Sequence, residues 1–291
     1  MQNNTENSVK TNINWFPGHM AKAKRMMVEN LKKVDMVIEL RDCRIPLASA
    51  NPMLDEILKD KKRLIILSKQ DKGEMVEIQK WIQRLENEST QVIAMDLLHD
   101  NVLNKTIEAC KKVMHTMLER MRRKGIRPRA IRAMVVGIPN VGKSTFINQA
   151  AQKRATKTSD RPGVTRDLQW VKCSNELELL DTPGVLWPKF EDEKTALHLA
   201  ITGAIKDEVL PLEEITAYAI ERLSHEYPER LYHRYGFNAL DQPHDTILAI
   251  GLAKKWLKSG NEVDYERACR IILNEIRDDR LGGITWEKAE D

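Results

Sequence analysis

Short apolar runs alternate with amphipathic stretches along the chain as far as about residue 205. Runs of this length, separated by helical periodicity, are typical of a mostly parallel sheet with helices on both faces. The predicted strands are Met36–Leu40, Arg63–Leu67, Gln91–Met95, Met134–Gly137, Leu168–Cys173 and Leu177–Leu180. The pattern therefore predicts an α/β fold.

Helical periodicity fills the intervals between these strands and then continues without strands towards the end of the chain. The predicted helices are Ala21–Lys33, Met75–Glu86, Asn101–Lys124, Leu212–Leu223, Thr246–Lys258 and Tyr265–Ile276. We expect three regions: a disordered tail over residues 1–13, an α/β domain over 14–204 and a small all-helical domain over 205–291.

Composition adds little to this picture. The 291 residues, 31% of them charged, include no stretch long and apolar enough to span a membrane, and the polar N-terminus is unlike a signal peptide. Four scattered cysteines without metal-like spacing indicate reduced thiols. We therefore expect a protein that remains in the compartment where it is made.

The distribution of charge is more informative than the formal net charge of +4. A first basic cluster lies between Lys22 and Lys33, and in a second, between Lys111 and Arg132, nine cationic residues stand against one acid, Glu119. Such blocks attract phosphate backbones, although a solvated helix end and linker would look the same. Two clusters favour a nucleic-acid partner without showing which residues would touch it.

The segment Gly137–Ser144 reads G-x-x-x-x-G-K-S between a predicted strand and a helical stretch. Glycine lets the backbone curl so that its N–H groups point at phosphate oxygens, and the next helix adds its positive dipole end. Lys143 would contact the β and γ phosphates, and the Ser144 hydroxyl suits Mg²⁺. The predicted phosphate ligands here are Asn140, Val141, Gly142, Lys143, Ser144 and Thr145.

A second phosphate motif, Asp181-Thr182-Pro183-Gly184, follows the last predicted strand. An aspartate at a strand end suits a water-mediated contact to Mg²⁺, and the Gly184 N–H suits a γ-phosphate that is lost on hydrolysis. Thr165, between the two motifs, is the candidate for a threonine that closes over Mg²⁺. The D-x-x-G pattern alone is a weak signal, but its position after the phosphate loop is the one expected in a GTPase.

Guanine selection requires a carboxylate that accepts hydrogen bonds from the base edge. After the second predicted strand the sequence matches the N/T-K-x-D turn of GTPases, with Ser68 in the first place. Asp71 would read the base, and the Lys69 stem would pack across its face. The shorter Ser68 predicts weaker nucleotide binding. The predicted guanine ligands are Ser68, Lys69, Gln70, Asp71 and, through a backbone amide at the end of the next strand, Asp96 or Leu97.

The base-recognition turn precedes the phosphate loop, which reverses the order found in ordinary GTPases. Because the pocket is built from strand ends, a circular permutation can preserve it while moving the termini. Gly184 then leads directly towards the helical domain, which suggests a mechanical readout of the nucleotide state. The residues therefore predict a circularly permuted P-loop GTPase with Mg²⁺ as cofactor.

These motifs resemble the YlqF/RbgA family of circularly permuted GTPases, ribosome biogenesis GTPase A. The resemblance extends from Asn14 to about Lys288 and rests on Trp15–Lys24, Asp42–Pro46, Arg132–Ser144 and Asp181–Pro188. It implies a cytoplasmic bacterial factor in late assembly of the large (50S) ribosomal subunit, with hydrolysis stimulated by the subunit and a helical domain that contacts rRNA. Ser68 and Cys43 depart from the family's usual Asn and Ala.

Hydrolysis requires a group that orients the attacking water. Val185, which follows Gly184, cannot do so. His19, beside a Pro-Gly turn, is the best candidate in the sequence. The residues alone favour a surface or packing role for it, whereas the resemblance implies a catalytic one. Asn140 resembles the asparagine that holds K⁺ in cation-dependent GTPases, so we expect K⁺ as a second cofactor.

Other functions remain open on the sequence alone. A permuted GTPase of the small subunit would usually carry a C-terminal zinc site, and no Cys/His cluster is found there. An RNA-binding scaffold with a structural nucleotide would not need Thr165 and Asp181 for turnover. An ATPase is disfavoured by Asp71. We expect a monomer without membrane association.

Overall fold

The computed structural model describes residues 17–58, 61–152, 168–184, 192–205, 207 and 211–290, with the backbone alone for residues 17–23. The predicted tail over residues 1–13, Thr165 and Val185 lie outside these ranges. None of the helices described is long and apolar enough to cross a membrane. The chain divides into two compact units, one of residues 17–187 with 281–291 and the other of residues 188–280.

The first unit is built on a six-stranded sheet of order β3-β2-β1-β4-β6-β5. Its strands are β1 (Met36–Asp42), β2 (Lys62–Ser68), β3 (Thr90–Ala94), β4 (Ile131–Gly137), β5 (Gln169–Lys172) and β6 (Leu177–Asp181). Every neighbouring pair is parallel except β5 and β6, which are antiparallel. The six predicted strands and the mostly parallel sheet are confirmed.

Among the described residues, six helices accompany this sheet: α1 (Pro17–Asn30), α2 (Pro52–Ile57), α3 (Met75–Leu85), α4 (Val102–Val113), α5 (His115–Arg123) and α6 (Lys143–Ala150). The prediction of a single helix over Asn101–Lys124 is wrong in its continuity: the chain turns at Met114 and forms two helices, α4 and α5. Helix α2 was not predicted. Its signal was local: Pro52 stands at its first position and the Asn51 side chain accepts a hydrogen bond from the Met53 N–H.

Apolar side chains cover both faces of the sheet. On one face Met27 and Leu31 pack with Val37 and Met134 in one cluster, while Trp81 of α3 belongs to a second cluster on β2 and β3. The alternate positions of β2, Leu64 and Ile66, are fully buried as well. Helix α4 contacts β2, β3 and α6. The predicted arrangement of helices on both faces is therefore present.

A buried ionic network lies on β1 and β2. The Glu39 carboxylate accepts hydrogen bonds from Arg41 Nε at 2.7 Å and from Arg63 Nη1 at 3.1 Å, and its side chain is only 2% exposed. Arg63 also pairs at 2.7 Å with Asp55, whose side chain is 58% exposed. Glu39 thus supplies the counter-charge of the buried Arg41 and shares Arg63 with Asp55.

The second unit is helical in its described part, with α7 (Glu193–Ile201), α8 (Leu212–Glu226), α9 (Pro228–Tyr235), α10 (Pro243–Ala253) and α11 (Tyr265–Arg277). Helix α8 is central because it packs against the other four. Its buried residues Ala219, Ile220 and Leu223 face a core to which α11 adds Ile272 and Leu273. The all-α character predicted for this part is confirmed, although α7 and α9 were not foreseen.

The two compact units divide the chain differently from the predicted domains. Helix α7 precedes residue 205, yet it packs against α8 and α11 and belongs with the helical unit. Residues 281–291 follow the last helix, yet they belong with the sheet unit. The buried side chains of Ile284 and Trp286 explain that return, because they need the apolar interior that the sheet unit provides.

Replacing Glu39 with Ala tests the ionic network. We expect a loss of about 3–5 kcal/mol in the free energy of unfolding, because Arg41 would stay buried without a counter-charge and Arg63 would keep only Asp55. The matched control is Asp55→Ala, which removes the exposed partner of Arg63 and should cost below about 1 kcal/mol. Urea denaturation measures both. Equal losses in the two variants would contradict the buried role of Glu39.

Candidate functional site

Every predicted ligand segment that the structure describes begins where a parallel strand ends. The turn of Ser68–Asp71 follows β2, the phosphate loop follows β4, and Asp181–Gly184 spans the end of β6. Because the strands are parallel, their carboxyl ends meet at one edge of the sheet. We call this edge the carboxyl edge. The permuted order of the motifs therefore leaves one shared pocket.

The phosphate loop depends on backbone conformations that favour glycine. Gly142 has φ 102°, and a Cβ there would lie 2.9 Å from Leu97 Cδ1. Gly137 has φ 151°, and a Cβ there would lie 2.7 Å from the Leu40 carbonyl oxygen. Asn140 adopts a left-handed conformation with φ 57°. The loop then enters α6 at Lys143, so the helix N-terminus faces the carboxyl edge.

The two phosphate motifs touch each other. A Cβ at Gly184 would lie 2.7 Å from Lys143 Nζ and 3.2 Å from the Pro139 nitrogen, so Gly184 rests against the loop. The Thr182 hydroxyl fixes this approach by donating to the Val135 carbonyl at 2.7 Å. Gly184 and Lys143 are thus placed to contact one phosphate group together.

The charges at this point are poorly hydrated. Removal from water lowers the pKa of Lys143 to about 8, against the opposing effect of the Asp181 carboxylate. Burial likewise raises the pKa of Asp181, and Lys143 acts against that rise. An ammonium with so little hydration gains from a phosphate ligand, because the ligand replaces solvation that the fold has removed. Ser144, the next residue, begins the helix beside it.

Ser68 ties the base-recognition turn to the phosphate loop. Its hydroxyl is fully buried and lies 2.7 Å from the Val141 carbonyl oxygen and 3.0 Å from the Arg41 carbonyl oxygen. A hydroxyl has one proton, so it can donate to only one of these acceptors at a time. An asparagine amide has two. The departure at position 68 therefore keeps the tether but leaves one of the two carbonyl groups without this donor.

The turn itself is held by a buried carboxylate at the end of β1. Asp42 accepts hydrogen bonds from Arg44 Nε at 2.9 Å and Nη2 at 2.8 Å, and Lys69 Nζ lies 2.8 Å from its Oδ2 atom. Burial alone would raise the pKa of Asp42, but the charges of Arg44 and Lys69 outweigh it and hold that pKa well below its usual range. Lys69 takes a left-handed conformation, φ 58°, and the next residues form a 3-10 turn that leaves Asp71 exposed.

The turn after β3 carries Asp96 and Leu97, the two residues predicted to contact the guanine O6 through a backbone amide. The Asp96 N–H donates to Asp100 Oδ2 at 3.0 Å, and the Asp96 carboxylate lies 2.6 Å from His99 Nδ1. The Asp96 amide is therefore engaged within its own turn. Leu97 is the member of the predicted pair whose side chain packs on the phosphate loop at Gly142. We accordingly assign the guanine O6 contact to Leu97 as a proposal.

His19 lies in the first turn of α1, where only the backbone is described. Helix α1 ends just before β1 begins, so its C-terminal end lies at the amino edge of the sheet. Met27, close to that end, packs in one cluster with Val37, Met134 and Leu180, which lie level with one another in the sheet. Since the C-terminal end of α1 is at the amino edge, its first turn is the end directed towards the carboxyl edge, which carries the phosphate loop.

A further segment, residues 281–290, lies at this site and was not predicted; we call it the strap. The Ile284 N–H donates to the Lys72 carbonyl at 3.0 Å, and the Thr285 hydroxyl accepts from the Glu74 N–H at 3.0 Å. A Cβ at Gly283 would lie 2.7 Å from the Gly73 carbonyl oxygen. The strap therefore lies directly against the residues that follow Asp71.

The strap also grips the loop after β1. The Trp286 N–H donates to the Arg44 carbonyl at 2.8 Å, and the Glu287 carboxylate accepts from the amides of Leu47 and Ala48 at 2.6 and 2.9 Å. Trp81 donates its indole N–H to the Glu287 carbonyl at 2.9 Å. The two apolar residues Ile284 and Trp286 were the one sequence signal for this segment, in which Thr285 between them is buried as well.

Comparisons with known proteins agree with this geometry. A family model described as "50S ribosome-binding GTPase" matches residues 132–228. "Ribosome biogenesis GTPase A" of Bacillus pumilus is 47% identical over 281 residues, which cover 96% of this chain and 99% of that protein. The protein of the same name from Priestia megaterium is 47% identical over 279 residues, covering 94% of this chain and 96% of its own length.

A solved structure gives the same result. The crystal structure of GNP-bound YlqF from T. maritima superposes with a TM-score of 0.64 at 26% sequence identity, and the match covers 93% of this chain and 99% of that chain. The similarity therefore includes both the sheet unit and the helical unit of the chain.

Substitutions at Ser68 test the tether. We expect Ser68→Ala to weaken GDP binding about fivefold, because one lost buried hydrogen bond corresponds to ~1 kcal/mol. Ser68→Asn, with two donors, should bind at least as tightly as the unchanged protein. The control is Thr106→Val, which removes a buried hydroxyl that bonds within α4. Isothermal titration calorimetry measures the GDP affinity of each variant. An unchanged affinity in Ser68→Ala would show that the Ser68 hydrogen bond does not support nucleotide binding.

Replacing Gly283 with Ala tests the strap. The added methyl group must displace the Gly73 carbonyl, which follows Asp71 by two residues. We expect GDP affinity to fall about tenfold, or ~1.4 kcal/mol, while binding of inorganic triphosphate stays unchanged because the phosphate loop is not displaced.

Glu290→Ala is the control for that experiment, since it alters the strap at a side chain that is 80% exposed. A variant that loses stability in urea but keeps its GDP affinity would show that the strap is structural only.

Proposed function

The chain belongs to the ribosome biogenesis GTPase A family, and on that premise we propose that it hydrolyses GTP as an assembly factor of the large ribosomal subunit. The observation that carries the proposal is the contact of Gly184 with Lys143, which brings both phosphate motifs to the carboxyl edge beside the turn of Asp71. The names of the relatives supply the ribosomal context.

The phosphate loop would bind the β and γ phosphates through the backbone amides of residues 140–145 and through Lys143. Mg²⁺ accompanies the nucleotide in GTPases, and the oxygens present suit it: the Ser144 hydroxyl directly and the nearly buried Asp181 carboxylate through water. When bound, the ion neutralises charge that develops on the phosphates. Thr165, outside the described residues, remains the proposed third ligand.

The base would be selected by Asp71, which is exposed at the end of a rigidly held turn. Lys69 reaches Asp42 with its ammonium, so its aliphatic stem is fixed in place rather than free to move. This anchoring supports the proposed packing of the stem across the guanine face. Gln70, in the same turn, would border the base.

For hydrolysis we propose that His19 orients or deprotonates the attacking water. Support comes from the position of the first turn of α1 towards the carboxyl edge, and the resemblance to the family adds that this histidine is brought into place on the subunit. Asn140, held in a left-handed conformation beside the phosphates, is the proposed ligand for K⁺. A cation there would supply positive charge close to the leaving group.

The chain leaves the sheet unit after residue 187, three positions beyond Gly184, and returns to it as the strap. Each of these two connections adjoins an element of the proposed nucleotide site: the first follows the γ-phosphate contact, and the second leads into the strap beside the guanine turn. We propose that the helical unit contacts rRNA and that these two connections couple its binding to the nucleotide state. We further propose a cytoplasmic monomer.

The first test is GTP hydrolysis by the purified protein in KCl and in NaCl, with large subunits, small subunits or neither. We expect slow intrinsic turnover that large subunits raise and that is faster in K⁺. His19→Ala should lose about a hundredfold or more of the stimulated rate, because positioned acid–base groups contribute about that much, with GDP affinity unchanged.

His115→Ala is the matched control, because His115 is exposed on α5. Stimulation by small subunits alone would overturn the large-subunit assignment. Normal stimulated hydrolysis in His19→Ala would remove the histidine from the mechanism, and equal rates in K⁺ and Na⁺ would remove the Asn140 site.

A further inference from the structure

We infer that the amino edge of the sheet, opposite the nucleotide site, is a second RNA-binding surface that recognises the sugar–phosphate backbone. This inference rests on the proposed ribosomal function, and it adds a contact made by the sheet unit to the one proposed for the helical unit. The observations that carry it are the convergence of two basic segments and the lack of counter-charges on part of them.

Two segments that are far apart in the sequence meet at this edge. The Asp35 N–H donates to the Arg132 carbonyl at 2.8 Å, and the Asp35 carboxylate accepts hydrogen bonds from both terminal nitrogens of Arg129 at 2.7 Å. Asp35 lies two positions after Lys33, which with Lys32 forms the basic end of the first cluster, and both of these lysines are exposed. The start of β1 therefore joins the first basic cluster to the second.

Further cations approach the same edge from neighbouring elements. Lys61, just before β2, donates to the Val34 carbonyl at 2.8 Å. Lys112, near the end of α4, lines one surface depression together with Lys62 at the start of β2. The amino ends of β1, β2 and β4 are therefore all bordered by positive charge.

Part of this charge has a counter-charge within the protein. Four cations of the second cluster form ion pairs: Lys111 with Glu176, Arg122 with Glu119, Arg129 with Asp35, and Arg132 with Glu178. These pairs fix the shape of the edge. They also identify the cations that the fold itself uses.

The remaining cations are available to a ligand. Within the described part of the chain, no carboxylate lies at ion-pair distance from five exposed side chains of this block: Lys112, Arg120, Arg123, Lys124 and Arg127. Three of the five are arginines, whose planar donors match phosphate oxygens. Glu86 and Glu88, near the start of β3, limit the surface on that side.

RNA is the partner that this chemistry favours. A group of unneutralised, solvent-exposed arginine and lysine side chains suits a repeating polyanion, and phosphate contacts of this kind carry no sequence information. An acidic protein would meet the same charges, and the test below distinguishes it. Because the surface lies on the opposite edge from Lys143, binding there leaves the nucleotide pocket open.

The test is a triple variant, Arg120→Gln with Arg123→Gln and Arg127→Gln, in the full chain. The control triple variant, Lys80→Gln with Lys105→Gln and Lys288→Gln, loses the same charge at lysines elsewhere on the unit. The probe is deproteinised large-subunit rRNA, bound across a KCl titration.

We expect the slope of log K against log[KCl] to become shallower by about two to three in the edge variant, because each lost phosphate contact removes about 0.7–0.9 from it. Affinity near ~0.1 M KCl should fall roughly tenfold or more, against under threefold in the control. Basal GTP hydrolysis should be unchanged, which also reports correct folding.

Equal slopes and affinities in the two triple variants would overturn the surface, because net charge alone would then explain the binding. Wild-type affinity of the edge variant for rRNA would also overturn it, even if binding to intact subunits fell, since that result indicates an acidic protein partner. The proposed function is judged separately by stimulation of the unaltered chain by large subunits, so either idea can fail without the other.

Discussion

The structure depends above all on one geometric constraint: five parallel strands end at the same edge of a single sheet. A parallel strand delivers the residues that follow it to that edge, wherever the strand stands in the sequence. The turn after β2 and the loop after β4 are therefore neighbours although the first precedes the second in the chain. The reversed order of the motifs relative to ordinary GTPases therefore does not change which motifs lie side by side.

Within that frame, buried polar groups set the shape of the site. Asp42 gathers Arg44 and Lys69, and the Ser68 hydroxyl reaches the phosphate loop at Val141. Each group is removed from water and is compensated by charge-assisted or directional bonds, so a small displacement leaves a buried polar group unsatisfied. This cost keeps the guanine turn and the phosphate loop in register with each other.

The return of the chain end gives the permuted arrangement a second consequence. The helical unit is inserted between Gly184 and the strap, and both of these segments lie at the carboxyl edge. The opposite edge of the same sheet collects the cations that the sequence scatters over two clusters. One sheet thus places the proposed nucleotide site and the proposed RNA surface on opposite edges.

The sequence by itself determined the strands, the phosphate loop, the guanine turn and the permuted order, because each depends on local periodicity or on residues a few positions apart. It could not place the strap, since Ile284 and Trp286 donate their backbone N–H groups to Lys72 and Arg44, more than two hundred positions earlier. Nor could it show that the Asp96 N–H donates to Asp100, or that the ion pair of Asp35 with Arg129 brings Lys32 and Arg129 to the same edge of the sheet. Those facts arise from pairing between distant segments, and only the tertiary fold decides which distant segments meet.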